Sequence, residues 1–127
     1  MCARAKQTRR IGWIGLGTMG LPMALRLADK SGCAVHGCDI VPAAMDAFAS
    51  MGGIPEPDGA ALLENSDVVF LSLPGNALVQ ETLTDAVRRC RRGTVVVDTS
   101  SSLPAVIQSC AAQAAARGVE LIDCPVS

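Results

Sequence analysis

An α/β fold on a doubly wound parallel sheet is predicted by three observations on this 127-residue chain. Short apolar runs alternate with stretches of helical periodicity from Ile11 to the last residue. Several runs are almost continuously apolar, as strands covered on both faces are. The first run passes directly into Gly15-Leu16-Gly17-Thr18-Met19-Gly20 and then a helical pattern. Six strands with intervening helices match two β-α-β-α-β halves. The expected strand order is 3-2-1-4-5-6, with a ligand crevice at the carboxyl ends of strands 1 and 4.

The elements follow in order. Residues 1–10 form a basic leader, read as frayed, and residues 11–127 form the single domain. After the first strand a helix spans Leu21 to Lys30, Ser31-Gly32 turns the chain, and a second strand runs from Cys33 to Cys38. A helix from Pro42 to Met51 has proline in its first turn and ends at Gly52-Gly53. Ile54-Pro55-Glu56-Pro57 reads as an edge strand, because its prolines cannot donate ladder hydrogen bonds. A brief helix covers Asp58 to Asn65, with Asp58 as N-cap. The apolar run Asp67 to Leu73 is the fourth strand, ended by Pro74-Gly75-Asn76. The next helix buries Val79, Leu83, Ala86, Val87 and Cys90 at helical spacing. Its acids come early and Arg88, Arg89, Arg91 and Arg92 come late, which suits the helix dipole. Thr94 to Asp98 is the fifth strand. A helix beginning at Pro104 is expected to bury Val106, Ile107, Cys110, Ala111, Ala114 and Ala115 before Gly118 closes it. Val119 to Asp123 completes the sheet.

The glycine turn carries the chemistry. Gly15 permits a tight turn off the strand, Gly17 lets the backbone approach phosphates, and Gly20 lets the helix lie close to the sheet. A helix starting near Thr18 aims its free N–H groups and positive dipole end at a pyrophosphate. Asp39 ends the second strand nineteen positions after Gly20, close to the spacing at which a carboxylate reaches ribose hydroxyls. The alternative role for Asp39 is to cap the helix entered at Pro42. No Lys or Arg follows Asp39 up to the end of that helix, so a 2′-phosphate meets a carboxylate without a local cation. NAD is therefore expected over NADP.

Half the residues are apolar and 2% are aromatic, so the core is built from Ala, Val, Leu, Ile and Met. A net charge of −1 argues against a strongly electrostatic nucleic-acid or membrane partner. No run approaches the ~18 apolar residues of a membrane span. The leader lacks the apolar stretch of a secretory signal, and a cytoplasmic location is expected. Six scattered cysteines without a C-x-x-C pair read as small buried hydrophobes, with no metal site expected. His36, the one histidine, reads as structural.

Four segments together resemble the N-terminal NAD-binding domain of the β-hydroxyacid dehydrogenase family, which includes 3-hydroxyisobutyrate dehydrogenase, 2-hydroxy-3-oxopropionate reductase and, more distantly, 6-phosphogluconate dehydrogenase. They are Gly15 to Met23, Leu73-Pro74, Asp98-Thr99-Ser100-Ser101-Ser102-Leu103-Pro104, and Asp123-Cys124-Pro125-Val126-Ser127. The resemblance implies that Gly15, Leu16, Gly17, Thr18, Met19 and Gly20 hold the pyrophosphate and that Asp39 holds the adenosine ribose. It implies further that Leu73 and Pro74 flank the cofactor, that Ser101 lies near the nicotinamide, and that Ser127 meets the substrate carboxylate. Residues Ser100 to Ser102 have an equal claim as caps of the helix started by Pro104.

Family enzymes continue into two glycines, an interdomain helix with a catalytic lysine, and a helical domain, and these 127 residues contain none of them. The lysines here are Lys6 and Lys30, neither near the strand carboxyl ends. The expectation is a domain that binds dinucleotide but does not turn over a small hydroxy acid or its semialdehyde, and that self-associates through the face left open. The competing expectation is a stand-alone dinucleotide-binding or sensing module.

Overall fold

A computed structural model describes residues 9–126. The strands are β1 (Arg10–Ile14), β2 (Ala34–Cys38), β3 (Ile54–Pro55), β4 (Val68–Leu71), β5 (Val95–Asp98) and β6 (Glu120–Asp123). The helices are α1 (Gly20–Ser31), α2 (Pro42–Ser50), α3 (Gly59–Asn65), α4 (Asn76–Arg89) and α5 (Pro104–Arg117). All strands pair in parallel in one sheet, in the order β3-β2-β1-β4-β5-β6. The predicted topology is the observed one. The leader's first eight residues lie outside the described residues, and its last, Arg10, belongs to β1.

Side-chain alternation divides the core between the two faces of the sheet. Ile11 and Trp13 of β1 pack with Leu16, Ala24, Val35 and Phe48 against α1 and α2. On the other face Val69, Leu71 and Val96 pack against Leu62 and Leu63 of α3, Val79, Leu83 and Val87 of α4, and Val106, Cys110 and Ala114 of α5. Trp13 stacks on Phe70 of the neighbouring strand, with ring centroids 5.0 Å apart and planes 17° apart.

Hydrogen-bond partners explain where the elements end. Asp58 caps α3 as expected, accepting the Ala60 N–H at 3.0 Å. β4 stops two residues before the predicted Leu73, because the Leu73 N–H leaves the sheet for the Ser100 hydroxyl at 2.8 Å. β3 keeps only Ile54 and Pro55, and the Glu56 N–H makes the last bond, to the Gly37 carbonyl at 2.8 Å. Ala111 and Ala115, expected inside, are exposed, and the buried stripe of α5 is Val106, Cys110 and Ala114. Alanine fits either environment, so an alanine-rich helix leaves its inner face poorly marked.

Candidate functional site

The loops after β1, β2, β4 and β5 enclose a cleft of about 660 Å³. It opens where the strand order reverses between β1 and β4, because the chain leaves these two neighbours toward opposite faces of the sheet. Gly15, Gly17, Thr18, Met19, Gly20, Asp39, Leu73, Pro74 and Ser101 all line it. Leu16 does not, since its side chain is buried in the core beneath α1 and α2. Ser127 lies outside the described residues, but the preceding Val126 is on the cleft wall.

Backbone geometry dictates the glycine turn. Gly15 has φ +104°, and a Cβ there would stand 2.0 Å from the Ser72 carbonyl oxygen. A Cβ on Gly20 would stand 1.9 Å from the Gly15 oxygen, so the start of α1 rests directly on the turn. Gly17 differs, because a Cβ there would meet no protein atom and would project into open space beside the cleft. Space kept free of side chain at the start of a twelve-residue helix fits an anion. α1 has no side-chain cap, the Leu21 N–H donates to the Gly17 carbonyl at 3.0 Å, and the residues before it, Gly17 to Gly20, line the cleft at the helix start, where backbone N–H groups lack helical partners.

Asp39 stands on the same wall with its carboxylate doubly held. One oxygen accepts the Leu16 N–H at 2.7 Å, and the other accepts the Val41 N–H at 2.8 Å. It does not cap α2, whose N-cap is Val41 and has no side-chain bond. A carboxylate offers about four acceptor sites, so two remain for hydroxyl groups. Cys38 also lines the cleft. Burial, then the charges of Asp39, Glu56 and Asp58, push its thiol pKa up, which keeps it protonated and weakly nucleophilic.

The opposite wall is braced by Asp98, which is fully buried. Its carboxylate accepts the Ser100 N–H at 2.9 Å and the Ser102 hydroxyl at 2.7 Å. Ser100 in turn accepts the Leu73 N–H, and Asn76 accepts the Leu103 N–H at 2.8 Å. These bonds join the loop after β5 to the loop after β4, with Ser101 exposed between them. The serines do not cap α5, whose N-cap is Leu103 without a side-chain bond.

The sequence reading missed Ile40, Val41 and Leu78, exposed apolar residues on the cleft rim. Ile40 is 95% exposed, directly after Asp39. An apolar pair between a strand-ending acid and a helix-starting proline was the available signal. Among the described residues no cluster of His, Cys, Asp and Glu is placed to hold a metal ion. No described helix is long and apolar enough to cross a membrane. The five described cysteines are free, with Cys90 and Cys110 buried and Cys124 exposed.

A family model described as the NAD binding domain of 6-phosphogluconate dehydrogenase matches residues 10–127. The chain belongs to this family. Members similar to it include 2-(hydroxymethyl)glutarate dehydrogenase of Eubacterium barkeri, 36% identical over 121 residues that cover 93% of this chain and 40% of the relative. The mitochondrial 3-hydroxyisobutyrate dehydrogenase of Drosophila melanogaster is 36% identical over 123 residues, covering 94% of this chain and 37% of the relative. The solved structure of Mycobacterium tuberculosis 3-hydroxyisobutyrate dehydrogenase superposes with a TM-score of 0.87 at 30% identity, covering 95% of this chain and 41% of that one. The resemblance read from the four segments is borne out, and this family domain spans about two-fifths of the length of these relatives.

Proposed function

We propose that this family domain holds NAD for a dehydrogenase acting on a small 3-hydroxy acid or its semialdehyde, of the 3-hydroxyisobutyrate or 2-hydroxy-3-oxopropionate type. The observation that carries this reading is the convergence of a side-chain-free helix start and the pinned Asp39 carboxylate on one cleft. In it the N–H groups around Gly17 to Gly20 bind the pyrophosphate, with Leu16 contributing only packing beneath the turn. Asp39 takes the adenosine ribose hydroxyls, while Ile40 and Val41 offer apolar surface beside it. Leu73 and Pro74 flank the cofactor across the cleft, and Ser101 lies toward the nicotinamide. Ser127 is assigned to the substrate carboxylate by the family pattern. When bound, the nicotinamide supplies hydride transfer; the chain's part is to orient it.

Preference for NAD over NADP rests on charge. Asp39 is fixed by two backbone N–H groups, so it does not turn away from a 2′-phosphate, and no Lys or Arg occurs between Lys30 and Arg88. Among the described residues no lysine lines the cleft to serve as general acid; Lys30 lies in the last turn of α1, at the far end of the helix from the cleft. The 127 residues alone are therefore expected to bind without turnover. Calorimetric titration tests the reading: NADH is expected to bind at least about tenfold more tightly than NADPH, and Ile40→Arg is expected to narrow that gap by giving the 2′-phosphate a cation. Equal affinity for both cofactors would remove the proposed role of Asp39. Steady oxidation of 3-hydroxyisobutyrate by these residues alone would refute the division of labour.

A further inference from the structure

We infer that Trp13 is a positioning residue for the dinucleotide loop, acting through the single peptide that joins Gly15 to Leu16. The inference rests on the cofactor reading above, but its geometry is independent of it. Trp13 is 3% exposed, its ring stacked on Phe70, and its indole N–H donates to the Gly15 carbonyl at 3.0 Å in a buried setting. The N–H on the other side of that peptide, of Leu16, donates to Asp39 at 2.7 Å. One peptide plane is thus held at its oxygen by the core and at its nitrogen by the acid on the cleft wall.

Rotation of this plane would break both bonds together. It would also move the Gly15 oxygen on which the start of α1 rests, since Gly20 packs against that atom. The carbonyl would be free to swing toward the cleft, presenting a partial negative charge where the pyrophosphate is to bind. Phenylalanine at position 13 could keep the stack on Phe70, but it has no N–H to offer. What tryptophan adds over another buried aromatic is therefore one hydrogen bond, directed at the loop.

Trp13→Phe separates this role from simple packing. ADP-ribose, titrated calorimetrically, is expected to bind the variant about three- to tenfold more weakly, the worth of one net hydrogen bond. Amide hydrogen exchange followed by NMR is expected to speed at Leu16 relative to Gly15, whose N–H belongs to the preceding peptide and bonds the Cys38 carbonyl at 3.0 Å. Unchanged ADP-ribose affinity, or Leu16 protection that moves only in step with Gly15, overturns the inference. If the unaltered protein binds no ADP-ribose, the cofactor reading fails, while the exchange comparison still decides whether Trp13 holds the peptide. Should the variant not fold, the unaltered protein decides. Its one indole N–H resonance is expected to exchange slowly and to shift when ADP-ribose binds, and binding without a shift overturns the coupling.

Discussion

A methyl group at position 15 would sit 2.0 Å from the Ser72 oxygen, on a residue whose φ of +104° already suits glycine alone. Gly15→Ala is accordingly expected to cost about 3 kcal/mol or more, read as a lower urea midpoint, together with loss of dinucleotide binding. A Gly17→Ala variant meets no protein atom, so it is expected to fold normally and to lose affinity only. At His36, burial and the neighbouring Arg10 lower the imidazole pKa from its ordinary 6.5, against a smaller opposing pull from Glu56. Its Nδ1 lies 3.3 Å from the Arg10 guanidinium, a contact that needs a neutral ring. Below pH 6.5 the unfolded chain then takes up more protons than the folded one, so stability present above that value drains as the pH falls. Urea midpoints measured from about pH 7 to about pH 5 should fall more steeply in the parent than in His36→Gln. A parallel decline in both would deny the effect.

At the level of elements, Asp98 at the end of β5 holds the loop that follows it, and Ser100 of that loop holds the loop after β4. Removing its carboxylate leaves the buried Ser100 N–H without an acceptor and frees Ser102. Asp98→Ala is expected to lose about 2–4 kcal/mol on denaturant unfolding, with faster proteolysis at residues 99–103. Resistance equal to the parent would show the loop held by other contacts. This network also shows why parts of the site were illegible in the sequence. The strands and α1 announced themselves because apolar runs and glycine spacing are local patterns. Ser100 looked like a cap because a serine before a proline-started helix usually is one. Its actual partner, the Leu73 N–H, is 27 positions away and becomes a neighbour only when β4 and β5 pair.

For the whole molecule, coverage of the sheet is unequal. Trp13, Phe70, Val97 and Ile122 form one register row across β1, β4, β5 and β6. Exposure along it rises from 3% at Trp13 to 39% at Ile122, because α1 and α2 cover only the β1 end. The β3 edge is blunted by Pro55, with Pro57 just beyond, whereas β6 carries no proline. Self-association of the 127 residues through this apolar end is the expected outcome. Light scattering is expected to show concentration-dependent association that Ile122→Lys abolishes. A clean monomer at high concentration in the parent would refute the expected association. Dinucleotide binding should also stabilise the fold, by about 2.7 kcal/mol at a hundred times its dissociation constant. That shift should be absent in Gly15→Ala.

The sequence by itself determined the doubly wound sheet, its strand order and part of the cleft, namely the glycine turn with Asp39, Leu73, Pro74 and Ser101. Each follows from a pattern confined to a few neighbours in the chain, and parallel crossovers allow few ways to connect them. Only the tertiary structure decided what those residues hold. It turned Leu16 into the core, gave the Asp39 carboxylate two backbone partners, took Ser100 from a helix cap to a brace between loops, and brought the Trp13 indole under the glycine turn. Hydrogen bonds between strand ends depend on which strands become neighbours and on which way each side chain points, and neither is written in local spacing.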